Sequence, residues 1–196
     1  MRRVTNKALR SYTGSILSIL IVASIGAWFI VKPVRALFPT WVGMVCPNDQ
    51  ICLDTAPRSA EAQALYDEAI TFVSNGIGTL QGSPKVVFCS TDACAENFGL
   101  GKRSAVTIGS WVTVIGPRAW KPYYVRHELI HVLQSQRLGE LPLMRKPQWF
   151  KEGMAYSFSQ DPRRPLAEPF ESDRAQFESW YRAAPADQLW MRAIDL

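Results

Sequence analysis

A chain of 196 residues, 47% hydrophobic and 20% charged, has room for one globular domain plus an appendage and is too apolar to be disordered. Its net charge of +5 suggests nucleic acid only until the charges are placed. Arg2, Arg3, Lys7, Arg10, Lys32 and Arg35 lie in residues 1–36 without an acid, so that segment carries +6 and residues 37–196 carry −1. A domain without positive excess exerts no field on phosphate backbones, so no nucleic-acid partner is expected.

Between Arg10 and Lys32 runs SYTGSILSILIVASIGAWFIV, twenty-one residues without a charge. As a helix it would measure roughly 30 Å, the thickness of a bilayer's hydrocarbon core. Four cations precede it and two follow, a bias that keeps the short tail in the cytoplasm and sends the rest across. Residues 1–36 are therefore expected to be a tail and an uncleaved signal anchor, with the folded part periplasmic or extracellular. The competing reading is a signal peptide cleaved after Val34-Arg35-Ala36, giving a secreted protein. The long apolar run and the Lys32, Pro33 and Arg35 flank fit cleavage less well.

Residues 37–58 are rich in Pro, Cys and Asn and read as a linker. All four cysteines follow the apolar run, in two close pairs. In a translocated domain they predict disulfides, most simply Cys46–Cys52 and Cys89–Cys94, among three arithmetically allowed pairings. A four-cysteine zinc site fits less well, because the first pair is spaced too widely.

Residues 59–196 are expected to form the main domain. Ser59 reads as the N-cap of a helix running to Ser74, with Ala62, Leu65, Ala69, Phe72 and Val73 at helical spacing. Lys85–Phe88 reads as a buried strand, and Ala105–Ile115 as a bent strand or a hairpin broken at Gly109-Ser110. A helix from Pro122 to Gln136 or Arg137, a loop around Gly139 and Pro142, and a helix over Pro147–Phe158 follow. The tail from Glu171 reads as one or two helices split at Pro185. Helix, strands, then helices predict an α+β fold.

The only two histidines lie in YVRHELIHVLQ, four residues apart. On a helix, His127 and His131 share one face and can occupy neighbouring corners of a tetrahedral zinc site. Glu128 points about 100° away, free to hold the attacking water and take its proton. Val125, Leu129, Val132 and Leu133 fall on the opposite side and would pack on the core. Such a motif also arises as an ordinary histidine-bearing helix face, so it needs a third ligand, and no other histidine is available.

RHELIHVLQ together with the downstream WFKEGMAY resembles the gluzincin metallopeptidases, in particular their aminopeptidase-like branch. The resemblance covers mainly residues 105–160. It implies a zincin-like domain, one Zn2+ held by His127, His131 and Glu152, and Glu128 as general base in hydrolysis of a peptide or protein substrate. Twenty residues separate His131 from Glu152, slightly more than in those aminopeptidases, with the excess in a loop where insertions are tolerated.

Glu152 alone would also suit an acid early in a helix, whereas Gly153 signals a close approach. An oxyanion formed at the scissile carbonyl needs a further donor; Tyr156, one turn after Glu152, is the first candidate, with Tyr123, Tyr124 and Arg126 as alternatives. Val112–Ile115 is expected to offer an edge to an extended substrate, as in the family. Two other readings remain: an inactive pseudopeptidase serving as an anchored binding module, and a closed structural zinc site.

Overall fold

The computed structural model describes Ile16 and residues 32–196. The expected anchor lies outside the described residues, apart from Ile16. Among the described residues no helix is long and apolar enough to cross a membrane.

Four strands form one sheet: β1 (Ile51–Leu53), β2 (Lys85–Phe88), β3 (Ala105–Ile108) and β4 (Val112–Ile115), in the order β1-β2-β4-β3. The β1–β2 and β2–β4 pairs are parallel, and β3–β4 is antiparallel with Thr107 opposite Thr113. Seven α-helices surround it among the described residues: α1 (Ser59–Gly76), α2 (Asp92–Asn97), α3 (Pro122–Leu138), α4 (Glu140–Arg145), α5 (Gln148–Phe158), α6 (Phe170–Arg182) and α7 (Leu189–Ile194). The mixed α+β architecture expected from the element order is present.

Alternation along the strands divides the core in two, because successive side chains point to opposite faces. Ile51, Leu53, Val86, Phe88 and Ile115 face α1 and α3 and join the larger cluster. Cys52, Val87, Val112 and Val114 face the other way, where Ala36, Met44, Ala95 and Phe98 cover them. Both disulfides form as the simplest pairing requires, Cys46–Cys52 and Cys89–Cys94, and no described cysteine is free.

Several expectations need correction. Residues 37–58 are more than a linker, since they supply strand β1 and part of the cover on the sheet's outer face. Ser59 is the first helical residue of α1, after a 3-10 turn at Ala56–Arg58, and offers no side-chain cap. Of the two readings expected for Ala105–Ile115 the hairpin holds, turning at Gly109, whose φ of 55° suits a residue without a Cβ. The loop around Pro142 contains the short helix α4. Val112–Ile115 is an inner strand bonded on both sides, so it has no edge to offer; the free edge belongs to β3.

Candidate metal centre

The back of α3 fixes where its front points. Val125, Leu129, Val132 and Leu133 are buried in the core shared with α1 and the sheet. With that face committed, His127, Glu128 and His131 look into a cleft of about 700 Å³. Its other walls come from β3, α4, α5 and the segment leading to α6.

The second half of the site arrives on α5. Trp149, Phe150 and Phe158 pack edge-on against Phe177, Trp180 and Tyr181 of α6, binding the two helices into one unit. A Cβ on Gly153 would strike the Asp173 carbonyl oxygen and Phe177. The close approach signalled by Gly153 is therefore helix–helix packing, and it acts on the site only by setting where Glu152 lies.

Donor atoms of three residues converge in the cleft. His127 Nε2 and His131 Nε2 are 3.2 Å apart, Glu152 Oε2 lies 3.5 Å from the first and Glu152 Oε1 lies 3.7 Å from the second. Ligands about 2.0–2.1 Å from a tetrahedral zinc ion stand about 3.4 Å from one another, the edge of that tetrahedron. The three separations bracket this value. His127, His131 and Glu152 form a group able to hold a metal ion. Burial alone would push the Glu152 carboxyl up, but the hydrogen bond from His127 and the charges of His131, His127 and Lys151 outweigh it, leaving about 2. Glu152 is thus ionised throughout the ordinary pH range.

The histidine ring nitrogens are assigned by their neighbours. The Gln134 amide nitrogen donates to Lys151 O at 3.0 Å, which leaves its carbonyl Oε1 facing His131 Nδ1 at 2.9 Å. Nδ1 then carries a proton, which leaves Nε2, on the side of the other donor atoms, as the atom through which His131 would hold a metal. The same glutamine ties α3 to the turn of α5 that carries Glu152.

Glu128 stands outside the ligand group yet lines the same cleft. Thr107 Oγ1 donates to its Oε2 at 2.7 Å, so the edge strand orients the carboxylate. Thr113 lies 2.9 Å from that same Thr107 hydroxyl, the cross-strand partner that the register puts opposite. Burial pushes the Glu128 carboxyl up, against the charge of His131 and the Thr107 hydrogen bond. A carboxylate held this way binds a proton more readily than an exposed one.

Tyr156 packs its ring edge-on to His127, with centroids 4.4 Å apart, and lines the cleft. Burial and the Glu152 carboxylate raise its phenol to about 12, so it keeps a proton to donate. Arg126 is removed from the donor candidates, because its guanidinium pairs with Glu68 on α1. Tyr124 reaches the cleft; Tyr123 stacks beside it and is absent from the lining. Arg163 was missed by sequence reasoning: Asp161 fixes its guanidinium, which donates to Tyr124 Oη at 2.9 Å on the cleft wall. Gln134 and Thr107 were missed as well: Gln134 ends the quoted RHELIHVLQ but lies outside its His-Glu-x-x-His core, and Thr107 belongs to no motif. The one acid and two arginines of QDPRRP after α5 were the only hint of a charged wall.

Comparison with family models, with curated proteins and with solved structures finds no match to this chain.

Proposed function

We propose that this chain is a zinc-dependent metallopeptidase of gluzincin type, with a zincin-like domain that cleaves a peptide or protein substrate. The observation that carries the proposal is the convergence of His127, His131 and Glu152, whose donor atoms approach one another at 3.2–3.7 Å, near the edge of a tetrahedral zinc site, with no fourth protein ligand in the group. A closed structural site would use a fourth protein ligand, usually cysteine, and all four cysteines are in disulfides.

A zinc ion bound there would polarise a scissile carbonyl and acidify water. The protein's own groups supply the rest. Glu128 accepts the proton of the attacking water and returns it to the leaving amine, a task suited to a carboxyl whose proton affinity burial has raised. Thr107 keeps that carboxylate aimed into the cleft. Tyr156 offers its phenolic proton to the oxygen of the tetrahedral species. The free backbone edge of β3, whose residues Ala105 to Thr107 line the cleft, is suited to pairing with an extended peptide.

Behind a signal anchor, the site would face the periplasm or cell exterior, where both disulfides persist. The test is hydrolysis of a mixed quenched-peptide library by zinc-loaded protein. Wild type should cleave and lose activity on chelation. Glu128→Gln should keep its zinc and lose at least about 100-fold in rate, the usual scale of general-base catalysis. Zinc-loaded wild type that cleaves nothing would leave the site a binding module, and a Glu128→Gln variant as active as wild type would remove Glu128 from the role of general base.

A further inference from the structure

The face of the sheet turned away from α3 is covered by the segment that follows the uncharged run. A 3-10 helix spans Lys32–Leu37 and a second spans Pro39–Val42. Ala36, Pro39 and Met44 turn inward and are buried. Their neighbours turn outward: Trp41 is 72% exposed, Val45 54% and Phe38 47%. Phe38 and Trp41 stack with centroids 4.8 Å apart, so the two aromatics form one raised apolar surface.

This surface begins seven residues after Val31, where the twenty-one uncharged residues end. The segment between is held to the domain body. Lys32 pairs with Glu96 at 2.6 Å, and the Arg35 guanidinium donates to the Asn97 carbonyl and side chain at 3.0 and 2.6 Å. Lys32 also packs closely on Gly99, where an added Cβ would lie 2.9 Å from its own. Residue 32 is thereby fixed to the domain six residues before Phe38, so an apolar run that enters a bilayer brings that patch close to the bilayer surface. Tryptophan and other large aromatic or apolar groups belong at that boundary, where an apolar body meets hydrated headgroups. The ion pair with Lys32 also neutralises Glu96, a carboxylate that anionic headgroups would otherwise repel.

Resting on the signal-anchor reading given under the proposed function, we propose that Phe38, Trp41 and Val45 sit in the headgroup region of the membrane that holds the anchor. The domain then lies on the bilayer through the outer side of its sheet. The metal centre belongs to the opposite, helix-bearing side, so the cleft stays open to a substrate in the aqueous space. The anchored domain is held in one orientation and does not swing on a tether.

Every cysteine of the described domain is in a disulfide, and residues 1–31 contain none, so one introduced cysteine is the only free thiol. Full-length Thr40→Cys and, as a distant control, Ser172→Cys would each carry an environment-sensitive fluorophore in phosphatidylcholine–phosphatidylglycerol nanodiscs. The label at position 40 should be quenched several-fold more by headgroup nitroxide lipids than the label at 172, and less by aqueous iodide. Adding Phe38→Ser and Trp41→Ser should erase that difference while the domain keeps its circular dichroism. Equal iodide quenching at both positions would overturn the proposal. So would shielding of position 40 from both quenchers, which would mean that protein covers the patch.

Discussion

Gln134 holds His131 from behind: its Oε1 is 2.9 Å from the histidine Nδ1, while its amide nitrogen is committed to Lys151 O at 3.0 Å. One side chain thus fixes the tautomer of a ligand on α3 and the position of the helix turn bearing the third ligand. Gln134→Leu, of similar size, should weaken zinc binding about 10–100-fold, the usual cost of losing a partner behind a metal ligand. Competition titration against a chromogenic chelator measures it. An unchanged affinity would mean that the glutamine only fills space.

Gly153 should tolerate no side chain. Its missing Cβ is occupied by the Asp173 carbonyl and Phe177, so Gly153→Ala must push α5 from α6 or distort both. Overpacking of this kind costs about 1–3 kcal/mol, and collision with backbone places this case at the upper end. Denaturant unfolding should show that loss, and zinc affinity should fall with it because Glu152 moves. A helix-favouring alanine that stabilised the protein would contradict the packing described.

Glu128 predicts a pH-dependent stability. Its carboxyl is raised by burial, so it favours the folded metal-free protein while protonated, below the usual carboxylate range. That contribution disappears as pH rises through the raised value, above which the carboxyl is a buried charge. Metal-free Glu128→Gln should therefore melt above metal-free wild type near pH 7, with the gap closing toward pH 4. Scanning calorimetry across that range provides the comparison; a gap that widens on acidification has the wrong sign.

The Cys89–Cys94 bridge closes a short loop, on the sheet face away from the metal centre. The chain-entropy account gives about 2 kcal/mol for a loop of this size. Replacing both cysteines with serine should lower stability by about that amount and leave zinc affinity unchanged. A large loss of affinity would show that the two sides of the sheet are coupled.

What the sequence revealed was whatever depends on near neighbours. The amphipathic face of α3, the two cysteine pairs and the spacing of His127 and His131 are local patterns, and the structure keeps them. β1 was hidden because three residues, Ile51–Leu53, are too short to display a period and sit among turn-forming residues. α4 was hidden by Gly139 and Pro142, although proline is tolerated in a first helical turn. The edge was assigned to β4 instead of β3 because strand order depends on pairing between distant segments. Thr107 escaped for the same reason, its partner Glu128 lying on another element; Gln134 and Arg163 have near partners in His131 and Asp161, but their contacts to Lys151 O and Tyr124 Oη join distant segments.

The central claim is that His127, His131 and Glu152 together hold zinc, and direct metal analysis tests it. Protein purified without chelator should contain about one zinc per chain by plasma mass spectrometry, as a three-ligand site requires. His131→Ala and Glu152→Ala should each retain their fold by circular dichroism and lose the metal. Wild type without zinc even after incubation with the ion, or a Glu152→Ala variant that binds it as tightly as wild type, would contradict the account.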